Sequence, residues 1–164
     1  MEEAMIERIK TTFSTAIKEI TAPYELVTLE VDSNRIIDIL KFLKTEPDMG
    51  FNYLTDLCGI HYPDKKGSEL GIIYHLHNLN KNIRIRLKTY IGSDFPHIAS
   101  AVSIYPGANW MERETYDFFG IIFDGHPDLR RILNLDDMVA FPLRKEFPLE
   151  DPNRKDKKDE FFGR

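Results

Sequence analysis

The chain has 164 residues, 42% of them hydrophobic and 12% aromatic, which suits one domain with a real core and leaves little for a second. Its 22 Lys and Arg against 27 Asp and Glu give a formal net charge of −5, so no overall basic field attracts nucleic acid. The single cysteine, Cys58, excludes an internal disulfide and an iron–sulfur cluster held by this chain alone, which takes about four cysteines. The first residues, MEEAMIERIK, are charged and lack an apolar h-region, so no signal peptide is expected. No apolar run approaches the roughly 20 residues that span a bilayer. The expectation is a cytosolic protein, or one held at a membrane only through a partner.

Residues Glu2 to Ile20 carry Met5, Ile6, Ile9, Phe13, Ala16, Ile17 and Ile20 at three- and four-residue spacing, which predicts a helix over the whole stretch. YELVTLEV then alternates, with Val27, Leu29 and Val31 on one face, as a half-buried strand does. Asp32 or Ser33 caps a second helix in which Ile36, Ile39, Leu40 and Leu43 share a face, and Pro47 stops it. Phe51–Tyr62 is a further strand, closed by the turn PDKKGSE. LGIIYHLH and IRIRLKTYI, joined by NLNKN, read as an antiparallel hairpin with Ile83, Ile85 and Leu87 inward and Arg84, Arg86 and Lys88 outward. A short strand is expected in IASAVSIY. The order helix, strand, helix and then several strands predicts an α+β fold: a mostly antiparallel sheet with helices packed on one face.

The stretch that follows concentrates charge and aromatic rings. PGAN is a turn, and Asn109 is placed to cap a helix with Glu112 in its first turn. That helix is predicted to end near Phe119, with Gly120 as a left-handed C-terminal cap. Glu114 and Phe118 share one helical face, and Arg113 and Asp117 another. IIF then extends, DGHP turns, and Pro127 opens a second short helix, PDLRRIL. After Leu133 no period survives. From Glu150 to Arg164, ten of fifteen residues are charged, five acidic and five basic, too polar to fold alone. The chain is therefore divided into an α+β domain over 1–133 and an extended, partner-binding C-terminal tail over 134–164.

Catalytic signals are sparse. There is no G-x-G-x-x-G, no G-x-x-x-x-G-K-[ST] and no G-x-S-x-G. His75 and His77 share a strand face about 7 Å apart, but no further ligands can be placed beside them, so no metal site is assigned. His61 near Cys58 is a weaker pair, and the thiol reads as a small packing group.

The stretch Trp110–Leu133 resembles the signature of the C-type, 30-kDa subunit family of respiratory complex I. That signature has the form W-x-E-R-E-x-[WY]-D-[hydrophobic]-[FY]-G-I-x-F-x-G-H-P-D-L-R-R-I-L. The matching residues are Trp110, Glu112, Arg113, Glu114, Tyr116, Asp117, Phe119, Gly120, Ile121, Phe123, Gly125, His126, Pro127, Asp128, Leu129, Arg130, Arg131, Ile132 and Leu133. FPLRKEFP, which contains Arg144, is similar to a following block P-L-R-K-D-F-P, and FNYLTDLCGIHYP to a central strand of the family. One departure is Ala140-Phe141, where the family often has Gly-His.

The resemblance implies a non-catalytic, structural and assembly subunit of the hydrophilic arm of a bacterial NADH:quinone oxidoreductase. It implies that FMN and iron–sulfur clusters reside in partner subunits and none in this chain. The chief partner would be the large quinone-site subunit, and the place the cytoplasmic face of the inner membrane, reached through partners. The charged signature is then docking and bracing apparatus. Arg113, Arg130 and Arg131 suit carboxylates, and Phe161 and Phe162 would anchor the tail on the large subunit. Two readings stand beside this one: the equivalent subunit of a membrane-bound hydrogenase-type complex, and a stand-alone protein-binding module.

Overall fold

The computed structural model describes residues 2–147. The first element is helix α1, Glu2–Thr12. It is shorter than the apolar spacing predicts, because Thr11, Thr12, Phe13 and Ser14 are weak helix formers. The hydroxyls of Thr11 and Thr12 instead bond back to the carbonyls of Glu7 and Arg8. Ile17 and Ile20 belong to an edge strand, β1, Ile17–Thr21, so the predicted helix to Ile20 is corrected to a helix, a turn and a strand. The spacing misled because a β-bulge between Ile17 and Glu19 puts both isoleucines against the core at a three-residue interval.

Strand β2, Thr28–Val31, follows a short 3-10 turn at Pro23–Glu25. Asp32 accepts a bond from the Asn34 amide at 3.2 Å and opens a second such turn, which leads into α2, Ile36–Thr45. The four apolar residues predicted to share a face of α2, Ile36, Ile39, Leu40 and Leu43, are all buried. Strands β3, Tyr53–His61, β4, Leu70–Asn78, and β5, Ile83–Ile91, form the antiparallel heart of the sheet. The sheet order is β1-β2-β5-β4-β3, and only the β2–β5 pair is parallel. The fold is thus α+β with a mostly antiparallel sheet.

Alternation along the strands explains the layer. Leu70, Ile72, Tyr74 and Leu76 of β4 and Ile85, Leu87, Thr89 and Ile91 of β5 are buried, with His75, His77, Arg84, Arg86 and Lys88 on the other side. Met5 and Ile9 of the first helix, Phe13 just after it and the apolar face of α2 join them in one core. Arg8 fastens the first helix to the end of the second through Glu46 at 2.5 Å and Asp48 at 2.6 Å.

A second, two-stranded parallel sheet pairs β6, His97–Ala99, with β7, Ile122–Asp124. Between them runs α3, Ala108–Phe119, along edge strand β3. The two approach so closely at Gly59 that a Cβ there would lie 2.5 Å from the Phe119 ring. Residues 134–147 turn back over the end of α3, where the Leu143 amide donates to the Phe118 carbonyl. The tail expectation for Phe161 and Phe162 lies outside the described residues.

Candidate functional site

The charged signature begins on α3. Gly107, not Asn109, is its N-terminal flanking residue, and no side chain caps it. The Asn109 carbonyl meets His126 Nε2 at 3.1 Å instead. The Asp128 amide donates to the other ring nitrogen of His126 at 3.0 Å, so the Nε2–H tautomer satisfies both contacts. Because the helix starts at Ala108, Glu112 lies beyond its first turn. It is fully buried and accepts from the Ser100 hydroxyl and the Ala101 amide, both at 2.6 Å. Burial pushes its carboxyl up to about 7, against the lowering effect of those two donors. Glu112 thereby ties α3 to the segment after β6.

The other end of α3 holds the densest network. Helices end with four carbonyls lacking intrahelical partners. Here Tyr116 O accepts from the Gly120 amide at 2.8 Å and Asp117 O from Arg131 at 2.9 Å. Phe118 O accepts from the Leu143 amide at 3.2 Å and Phe119 O from Arg144 Nε at 2.7 Å. Two of the four donors are guanidinium groups, which also suit the negative end of the helix dipole. Gly120 takes the predicted left-handed conformation, φ 71°, and a Cβ there would lie 2.5 Å from the Phe141 ring.

The Asp117 side chain is fully buried and faces the loop after β7. One oxygen accepts from Arg131 at 2.6 Å and from the Asn134 side-chain amide at 3.1 Å. The other accepts from three successive backbone amides, Ile132 at 3.1 Å, Leu133 at 2.8 Å and Asn134 at 2.9 Å. Burial pushes this carboxyl up, but the amides of Asn134 and Leu133, then Arg131 and the Ile132 amide, outweigh it. Together they hold it well below the usual carboxylate range. Arg131 also donates to the carbonyls of Met138 and Ala140, and its guanidinium lies 5.2 Å from the Phe141 ring.

This network is why the predicted helix from Pro127 to Leu133 does not form. Amides that would bond to carbonyls four residues back are taken by Asp117, and the segment is irregular. Gly125 turns with φ 84°, and Pro127 and Asp128 sit in a turn. Arg113 and Asp117 share a helical face but do not pair. Arg113 donates to the carbonyls of Arg130 at 3.2 Å and Arg131 at 3.0 Å and lies 5.3 Å from the Trp110 ring.

The adjacent Arg130 and Arg131 have different surroundings. Arg131 has an 8% exposed side chain, and Arg130 is 69% exposed and, among the described residues, paired only with Asp128 at 2.9 Å. Glu114 is exposed and Tyr116 half-buried, its ring 6.4 Å from that of Phe141. Sequence reasoning missed Phe141, which lies between Arg131 and Arg144, and Asn134, which completes the Asp117 cage. It also missed Ser100, whose only signal was its place ahead of an apolar run.

The remaining candidates have local partners. His75 accepts from Arg86 Nε at 2.8 Å and lies 3.5 Å from Asp56. Burial, then the Arg86 charge, lowers its pKa. His77 lies 3.1 Å from the Asn82 side-chain oxygen, and His61 accepts from the Lys145 amide at 2.9 Å. Burial pushes the half-buried Cys58 thiol up to about 11, and Asp56 adds to it, so the thiol is a poor nucleophile near neutrality.

Fold and site define a class: an α+β domain whose charged signature clamps an irregular loop onto the end of one helix. The family model described as "Respiratory-chain NADH dehydrogenase, 30 Kd subunit" matches residues 29–153. The chain belongs to this family. It is 44% identical over 137 residues to the C-type subunit of the NADH-quinone oxidoreductase of Mycolicibacterium gilvum, covering 84% of this chain and 61% of that one. With the protein of the same name from a Methylobacterium species it is 40% identical over 147 residues, covering 90% and 67%. Against such relatives the chain spans between 49% and 67% of their length.

Among solved structures, Nqo5, in a trypsin-resistant fragment, superposes with a TM-score of 0.67 at 27% identity, covering 77% of this chain and 98% of that one. A chain of the membrane-bound sulfane sulfur reductase, an archaeal respiratory membrane complex, gives a TM-score of 0.76 at 25% identity. It covers 90% of this chain and 86% of that one.

Proposed function

We propose that this chain is a structural subunit of a bacterial NADH:quinone oxidoreductase, in the hydrophilic arm at the cytoplasmic face of the inner membrane. Its partners are other subunits of that complex, chiefly the large one that forms the quinone site. The complex passes electrons from NADH through FMN and iron–sulfur clusters to quinone, and those groups belong to the partners. This chain braces them. No described helix is long and apolar enough to cross a membrane, which fits attachment through partners.

The observation that carries the reading is the Asp117–Arg131 clamp. Asp117, which is fully buried, and Arg131, whose side chain is 8% exposed, bond to each other and to this chain's own backbone. Asp117 is held ionised and is no proton donor, and an arginine does not deprotonate in proteins. Such a pair gives shape rather than chemistry. The family match and the relatives named as oxidoreductase subunits supply the setting.

The test is to purify the tagged chain in mild detergent from its own host. Flavin, iron–sulfur absorbance and NADH:quinone activity should co-purify. The likeness to a chain of the sulfane sulfur reductase favours a second reading, the same subunit in a respiratory membrane complex of hydrogenase type. Co-purifying clusters with no NADH oxidation would select it.

A further inference from the structure

One strand pair of the main sheet is parallel, β2 with β5, so these two strands start at the same end of the sheet. The turn that leads into β2 and the turn that leads into β5 are thereby brought together, and the Arg86 amide donates to the Val27 carbonyl at 2.8 Å between them. A cleft of about 620 Å³ opens there, lined by Tyr24 and Glu25 of the first turn, Asn82 of the second, and Arg84 and Arg86 of β5. Among the described residues, three besides glycine have positive φ: Tyr24 at 54°, Glu25 at 63° and Asn82 at 51°. All three line this cleft.

Tyr24 and Glu25 are the middle residues of a tight turn closed by the Leu26 amide on the Pro23 carbonyl at 3.1 Å. Two successive left-handed residues across such a bond make a type I′ turn, which favours Asn-Gly or Asp-Gly. Tyr and Glu are costly there, because a Cβ crowds the backbone when φ is positive. Among the described residues nothing covers Tyr24, which is 101% exposed, so burial in this domain does not offset the cost. Backbone strain that local packing does not explain is a mark of functional positions. Arg84 and Arg86 share the outward face of β5, about 7 Å apart, and Arg86 is oriented by its Nε bond to His75 at 2.8 Å. Two guanidinium groups against the one carboxylate of Glu25 give the lining of the cleft a positive balance. Tyrosine and arginine are the side chains that dominate interface energetics, and guanidinium forks select carboxylates.

We propose that Tyr24, Arg84 and Arg86 form a docking site for an acidic segment of a neighbouring subunit of the same complex, whose Asp or Glu side chains enter the cleft beside the two arginines while Tyr24 packs on that segment. The inference rests on the reading that this chain works inside an assembly. It adds the surface and the chemistry of the partner. The strained turn is the device that holds Tyr24 out of the domain and ready for contact, so little ordering is left to binding.

The experiment replaces Tyr24 by p-benzoylphenylalanine, a photo-crosslinking aromatic of similar shape, in the tagged full chain in its own host. Membranes are irradiated, the complex is purified and the linked peptide is sequenced by mass spectrometry. The expected adduct is to another subunit of the co-purifying complex, on a peptide with Asp or Glu close by. A variant that keeps the parent's melting temperature yet loses the other subunits also supports the site. An adduct to residues 148–164 of this same chain, to lipid, or to a basic peptide overturns the proposal while the assembly reading stands. So does a variant that co-purifies normally with no adduct. A parent chain that brings down no other subunit overturns both.

A second measurement separates docking from folding. Tyr24→Gly relieves the left-handed strain and removes only an exposed ring, so the melting temperature of the chain should rise by about 2 °C, while recovered complex falls about tenfold, as for an interface centre. Arg84→Glu, also at an exposed position, should lower recovery with the melting temperature unchanged. Unchanged recovery in both variants overturns the site. A lower melting temperature in Tyr24→Gly would assign the ring to the fold and overturns it as well.

Discussion

Replacing Arg131 by Ala tests the clamp directly. The guanidinium donates to the Asp117 carboxylate and to the carbonyls of Asp117, Met138 and Ala140, and the variant leaves a fully buried carboxylate without its counter-charge. Removing one member of a buried pair costs about 3–5 kcal/mol. The lower end applies, because Asp117 keeps three backbone amides and the loop is half-exposed, so water reaches the freed carbonyls. About 3 kcal/mol in a chain of this size lowers the melting temperature by about 6–12 °C. Arg130→Ala is the control. Its pair with Asp128 has side chains 69% and 56% exposed, and such surface pairs contribute about 0–1 kcal/mol. Circular-dichroism melts of both full-length variants at neutral pH should separate by several degrees. Equal melting temperatures, or Arg131→Ala within a degree or two of the parent, would refute the reasoning.

Acid titration reports the same network, because a carboxyl held below its ordinary value contributes stability that is complete above about pH 4 and lost as pH falls through the lowered pKa. Asp117→Asn should therefore be less stable at neutral pH and lose less stability than the parent on acidification, as followed by denaturant melts. Glu112 has the opposite sign: with its pKa raised from 4.5 to about 7, stability falls as pH rises through that window. Glu112→Gln stays neutral, and should gain up to about 3 kcal/mol over the parent at pH 8 in urea titrations and nothing at pH 4. Gly125→Val has open space and carries only a left-handed penalty of about 1–2 kcal/mol, whereas Gly120→Val adds a clash with Phe141 and should lower the melting temperature further. The purified chain alone should be colourless, and a stoichiometric flavin or iron–sulfur spectrum would contradict the assignment of those groups to partners.

Regular elements were legible wherever one period dominates. The buried face of α2 and the hairpin of β4 and β5 follow from spacing alone, because one burying face imposes one register. The start of the chain was not, since Ile17 and Ile20 fit a helical interval only by virtue of a bulge that pattern cannot show. Gly120 was legible because a left-handed cap demands glycine. The loop after β7 was misread as a helix, because its amides are satisfied by a side chain fifteen to seventeen residues earlier, and local propensity says nothing about such a partner. The motif singled out Arg113, Asp117, Arg130 and Arg131 without telling the two adjacent arginines apart. Which one faces inward depended on the fold, as did Phe141, a departure from the family pattern that fills the space between two arginines.

The most direct measurement of the central claim is NADH:quinone reductase activity in membranes from a strain lacking this chain, complemented with the parent or with Arg131→Ala. The account predicts activity near zero in the deletion, restored by the parent and restored weakly by the variant, with the loss tracking the amount of assembled complex rather than the turnover of what does assemble. Undiminished activity in the deleted strain would contradict it.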